Sequence, residues 1–117
     1  YCGGKTIQGP VVFNNSAATF TFIDTFKTTA TGTGGNGALV TLSAGSIVAT
    51  NAPVEFGRFT STTTGIKTFT CPNLYLKGTG ALYTLGTGST GLTSSITNIY
   101  VDNGTTTAKT LLFNTQL

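Results

Sequence analysis

At 117 residues the chain is long enough for one domain with a modest core. Its composition argues against long helices, since glycine occurs 16 times and threonine makes up about a quarter of the sequence. The net charge of +3 comes from scattered residues, Lys5, Lys27, Arg58, Lys67, Lys77 and Lys109 against Asp24, Glu55 and Asp102; nucleic-acid binders gather their basic residues on a face or stripe, so no nucleic-acid partner is expected. The lack of histidine excludes Ser-His and Cys-His nucleophiles and a zinc site closed by the chain alone, and no apolar run is long enough to insert in a bilayer.

What remains is rich in Thr, Val, Ile, Tyr and Phe, whose branched or aromatic side chains pack well on pleated surfaces. The fold class expected is all-β, one β-rich domain over residues 1–117, either a module or a fragment of a longer chain. The first residue is Tyr1 rather than Met, as in a processed, excised or partial chain. Cys2 and Cys71 are compatible with one disulfide that staples the N-terminus to mid-chain, and equally with two separate thiols.

In chain order, "VVFNNSAATFTF" (11–22) reads as the first strand region. Phe20 and Phe22 alternate with Thr19 and Thr21, which gives one apolar and one hydroxylated side. The Gly-rich "TATGTGGNG" (29–37) reads as an insertion. "SIVATNAPVEF" (46–56) offers an apolar run, a polar turn and a second apolar run, and in "EFGRF" Glu55 and Arg58 are expected to pair across a kink at Gly57. "TCPN" (70–73) has no cation cluster or helix start to activate Cys71, so a structural cysteine is expected.

Two later phrases match. "NLYLKGTGALYTL" (73–85) and "NIYVDNGTTTAKTLLF" (98–113) both run Asn, aliphatic, Tyr, aliphatic, then a Gly/Thr turn, then a second apolar run. Asn73 and Asn98 are 25 residues apart, and Ala81 and Ala108, which open the second runs, are 27 apart. Two upstream phrases fit the outline, with Val48 set against Tyr75 and Val12 against Val48. A repeat of this length is a marker of solenoids, in which stacked copies bury a shared core. The pattern predicts a short parallel β-solenoid of about four rungs. Leu74, Leu76, Ile99 and Val101 then point inward, and Tyr75 and Tyr100 form an outward stack. Short strands between Gly/Thr turns also describe an antiparallel β-sandwich or jelly roll, which is the alternative.

The "NLYLKGTG" and "NIYVDNGT" phrases resemble rungs of right-handed parallel β-helix proteins: phage tail spikes and fibres, bacterial surface adhesins and pectate-lyase-like domains. The resemblance covers about residues 46–117. It implies a rigid shaft, often trimeric, that presents or binds carbohydrate. Enzymatic members carry clustered acidic residues on one face, whereas this chain has only Asp24, Glu55 and Asp102.

"GTGGNG" (32–37) and "GTGSTG" (86–91) both match G-x-G-x-x-G. A phosphate cradle needs a helix after that turn, and "LTSSITNIYV" after the second is strand-like, so tight connections are the expected reading and no cofactor is implied. Asn103-Gly104 signals a turn, and Asp102 and Asn103 lack the oxygen ligands for calcium, so no metal is expected. Asn14-Asn15-Ser16 and Asn103-Gly104-Thr105 match the glycosylation acceptor pattern. The sequence-based expectation is a non-enzymatic structural module at the cell surface, outside the cell or in a virion, such as an appendage, fibre or capsid-associated protein, whose partners are its own copies in a trimer, another homo-oligomer or a filament. The alternative is a carbohydrate-binding β domain with Tyr75, Tyr83 and Tyr100 as stacking rings for cell-surface sugars. A polysaccharide-degrading enzyme is disfavoured, because glycoside chemistry needs paired carboxylates.

Overall fold

The structure, a computed structural model, describes residues 3–30, 37–85, 91–101 and 109–113. Among the described residues every regular element is a strand: β1 (Thr6–Ile7), β2 (Val11–Phe22), β3 (Phe26–Thr28), β4 (Leu39–Ala49), β5 (Val54–Phe56), β6 (Arg58–Ser61), β7 (Lys67–Leu76), β8 (Gly80–Leu85), β9 (Leu92–Val101) and β10 (Lys109–Phe113). Each strand pairs with another in parallel. The fold is therefore the parallel β-solenoid, and the antiparallel sandwich is ruled out.

The long strands bend, and each bend passes the chain to a new face of the coil. On the first face β1, β3, β5, the end of β7 and the end of β9 pair in that order. On the second face the order is the start of β2, the start of β4, then β6, β8 and β10. The end of β2, the end of β4, the start of β7 and the start of β9 make the third. Three full turns separate Phe26 from Ile99, by way of Val54 and Leu74; β1 and β2 add a coil before them, and β10 follows. The bends are visible in burial. In β4 the in-out alternation breaks at Ser43 and Ala44, and in β7 at Pro72 and Asn73, where two successive residues are both half-buried.

Glycine makes two of the corners possible. Gly45 has φ of 88°, and a Cβ there would lie 2.2 Å from the Asn15 carbonyl oxygen in the coil before. Gly57 alone joins β5 to β6, and a Cβ on it would lie 2.5 Å from the Thr29 carbonyl oxygen and 2.6 Å from the Ala38 nitrogen. The equivalent corner of the preceding coil holds the Gly-rich stretch. There Ala38 N–H donates to the Thr29 carbonyl at 3.0 Å, so the two sides of the stretch meet, as an insertion requires. Residues 31–36 lie outside the described residues.

The repeat between the two Asn-aliphatic-Tyr phrases is real. Asn73 pairs with Asn98, Leu74 with Ile99, Tyr75 with Tyr100 and Leu76 with Val101. The upstream alignment needs correction. Tyr75 pairs with Glu55 rather than Val48, Val48 with Thr21 and Thr70, and Val12 with Thr41. Ala81 pairs with Thr110, not Ala108, which lies outside the described residues. The physical reason is uneven coil length. Along the first face Lys27, Glu55, Tyr75 and Tyr100 stand in one register, with steps of 28, 20 and 25 residues. Corners absorb the difference, because only the faces must stay in register.

The core is an aromatic column running across the coils. Phe22 stacks on Phe26 at 4.4 Å, Phe26 meets Phe56 edge-on at 6.0 Å, and Phe56, Phe59 and Phe69 lie within 5.9 Å of one another. Tyr83 continues it, 5.1 Å from Phe59. Leu42, Ile47, Val54, Leu74, Leu76 and Leu82 fill around the rings with no exposed surface. Each such side chain contributes about 1.5–3 kcal/mol by leaving water.

Candidate functional site

The outward positions of the three faces differ in chemistry. On the first face the row Lys27, Glu55, Tyr75, Tyr100 faces solvent. Glu55 bridges coils: its carboxylate lies 3.4 Å from Lys27 Nζ and 2.9 Å from Lys77 Nζ. Partial burial raises the Glu55 pKa, but the hydrogen bond and charge of Lys77, with the charge of Lys27, outweigh it, and the net direction is down. The expected Glu55–Arg58 pair does not form. Gly57 is a corner, so Glu55 and Arg58 lie on different faces, and Arg58 Nε instead donates to the Gly37 carbonyl at 3.2 Å.

The outward tyrosine stack is present. The rings of Tyr75 and Tyr100 lie 4.7 Å apart and 14° from parallel, and Lys77 Nζ sits 5.7 Å from the Tyr75 centroid. Nearby on the same strands Asn98 Nδ2 donates to Asn73 Oδ1 at 3.0 Å, which extends the ladder from backbone to side chain. Stacking turns one π-face of each ring toward the other.

Tyr83 does not join them. It is 1% exposed and faces the aromatic column, so it is not a surface ring for sugar stacking. The cause is a bulge in β8. Thr110 pairs with Ala81 but Leu111 with Tyr83, and Leu82 and Tyr83 are both buried. Burial pushes the Tyr83 hydroxyl up to about 12, opposed in part by a hydrogen bond with Ser94. Cys71 is a buried free thiol whose pKa burial pushes up to about 11, the environment of a structural rather than a reactive cysteine. Cys2, the other half of the candidate disulfide, lies outside the described residues.

The third face carries a pattern that reading the sequence for repeats missed. One outward column runs Thr19, Ser46, Thr68, Thr93, and the next runs Thr21, Val48, Thr70, Ser95. Seven of these eight positions carry a hydroxyl. The phrase "TFT", which occurs at 19–21 and again at 68–70, is the signal that could have found it.

Lys67 begins this face and is 1% exposed. Its Nζ donates to the Thr63 carbonyl and lies 3.4 Å from Thr63 Oγ1, and burial lowers its pKa. It ties the 62–66 corner to the coil. Among the described residues no three His, Cys, Asp or Glu side chains gather to hold a metal ion. Both Gly-rich phrases lead into strands, β4 and β9, rather than the helix a phosphate cradle needs. Asp102, Asn103 and Gly104 lie outside the described residues, whereas Asn14 and Asn15 are exposed.

Comparison with protein families, with characterised proteins and with solved structures finds no match to this chain.

Proposed function

We propose that the chain is a non-enzymatic structural module of an extracellular or virion assembly, such as an appendage, fibre or capsid-associated protein, and that it acts by associating with its own copies. The observation that supports this is the stacking itself. Each coil completes the burial of the one before, and Leu74 and Leu76 are wholly buried under the coil that follows. Their register partners Ile99 and Val101 remain 36% and 38% exposed. Backbone and apolar groups of such a layer gain by pairing with a further layer, supplied by more chain or by a second copy.

The test is particle size in solution across a dilution series, with negative-stain images. Trimers, rings or filaments that persist on dilution are expected. A stable, soluble monomer at high concentration removes the reading. The second reading, a carbohydrate-binding β domain, is favoured by Tyr75, Tyr100, Asn73 and Asn98 lying together on the first face. Glycan-array binding lost in Tyr75→Ala and Tyr100→Ala, with the fold intact, would support it.

A further inference from the structure

We propose that the third face binds the ordered water of an ice surface through its two columns of short hydroxyl side chains. The inference is independent of whether copies associate. Its basis is a lattice. Within each strand of this face the two outward positions lie two residues apart, and the columns run across the coils without a register shift between Thr19 and Phe22, Gly45 and Val48, Lys67 and Cys71, or Leu92 and Ile96. Strand geometry sets the repeats at roughly 4.7–4.9 Å between coils and roughly 6.6 Å along each strand. The repeat between coils lies close to the shorter oxygen repeat on a prism face of ice, and the repeat along the strand falls short of the longer one by about a tenth, a difference that rotation of the side chains about χ1 takes up.

The chemistry selects the same ligand. Every one of these side chains is short, and Thr, the commonest, pairs a hydroxyl with a methyl. Water held between such groups keeps its own hydrogen-bond geometry. Val48, the exception, is isosteric with Thr, so it keeps the shape of the array while lacking one hydroxyl. Charge is absent from all eight positions, whereas Lys27, Glu55 and Lys77 cluster on the first face and Arg58 lies on the second. A charged group imposes its own hydration shell, so eight uncharged outward positions are the complement of a neutral water lattice, and Lys67 at the start of this face is buried with its ammonium turned to the Thr63 carbonyl. A dissolved sugar would be recognised by exposed rings as well as hydroxyls, and among the described residues this face directs no aromatic side chain outward. Individually each hydroxyl contributes little. Adsorption comes from engaging all of them together on a rigid support.

The experiment grows a single ice crystal slowly from a dilute solution of the labelled chain and measures protein in the ice and in the liquid, alongside ice-recrystallisation inhibition. The wild type is expected to concentrate in the ice and to block recrystallisation. The double variant Thr68→Lys/Thr70→Lys and the exposed-site variant Thr19→Lys are expected to lose both effects. Thr60→Lys, on the second face, is expected to keep them. Circular dichroism melts establish that each variant is folded. A folded wild type excluded from ice overturns the proposal. So does equal loss in Thr60→Lys, which would move the activity off this face. Retention on crystalline cellulose or chitin instead of ice, lost in the same third-face variants, overturns it in favour of a polysaccharide surface.

Discussion

The coil closed by β7 and the coil closed by β9 carry nearly the same phrase in the same register, yet they differ in burial. Leu74 and Leu76 have no exposed surface, whereas Ile99 and Val101 are more than a third exposed. Tyr75 is half-buried between its neighbours and the Lys77 ammonium, and Tyr100 is 43% exposed. A side chain's burial in this architecture is thus decided by the coil stacked on it as much as by its own strand. Propensity and alternation set direction, and the neighbouring layer sets energy.

The largest expected effect breaks that comparison directly. Phe69→Ala opens a cavity among Phe56, Phe59 and the aliphatic core, and should cost about 3–5 kcal/mol in denaturant unfolding. Ile99→Ala on the coil closed by β9 should cost under about 1.5 kcal/mol, because its side chain keeps much of its contact with water in the folded state. Equal losses would show that the coil closed by β9 is as covered as the one closed by β7.

Gly45→Ala comes next. Its positive φ and the Asn15 carbonyl beside it leave no room for a methyl, so the corner must shift. A loss of about 1–3 kcal/mol is expected, read as a lower unfolding midpoint. Gly65→Ala is the sharpening control: its φ is also positive, 109°, but nothing lies within 4 Å of the added Cβ, so only the backbone term should appear.

The smallest effect belongs to Glu55. Its folded pKa lies below the ordinary 4.5, so its contribution is fully present above that value and is lost as pH falls through the folded pKa. Glu55→Gln should cost under about 1 kcal/mol at neutral pH, since the lysines are more than a third exposed, and should flatten the stability profile on the acid side. An unchanged acid profile would remove the inter-coil pair as its source.

The parts of this fold legible in the sequence are those where neighbouring coils happen to repeat. The Asn-aliphatic-Tyr-aliphatic phrase gave the parallel stacking, the inward leucines and the outward tyrosines, because β7 and β9 are aligned throughout without a bulge. Earlier coils were misaligned because their corners differ in length, from one glycine at Gly57 to the whole stretch between Thr29 and Ala38. Tyr83 was misplaced because the bulge at Leu82 reverses the alternation, and nothing in "ALYTL" marks the bulge. The Glu55 partners were hidden for a third reason: they lie one coil away in each direction, at distances along the chain that only the coil lengths reveal. The hydroxyl columns of the third face join residues from four strands, of which only the two "TFT" phrases stand out in the sequence; the register is needed to bring Ser46, Val48, Thr93 and Ser95 into line with them.

The meeting of Thr29 and Ala38 has a consequence for how such a chain changes over time and for how it can be engineered. The two residues form their hydrogen bond as a closed rung, and the following coil makes the same corner with a single glycine. The segment between them is therefore a splice point. Peptides of varied length inserted there are expected to leave the unfolding midpoint nearly unchanged, because the bond between Thr29 and Ala38 closes the ladder on either side and longer closed loops cost little more.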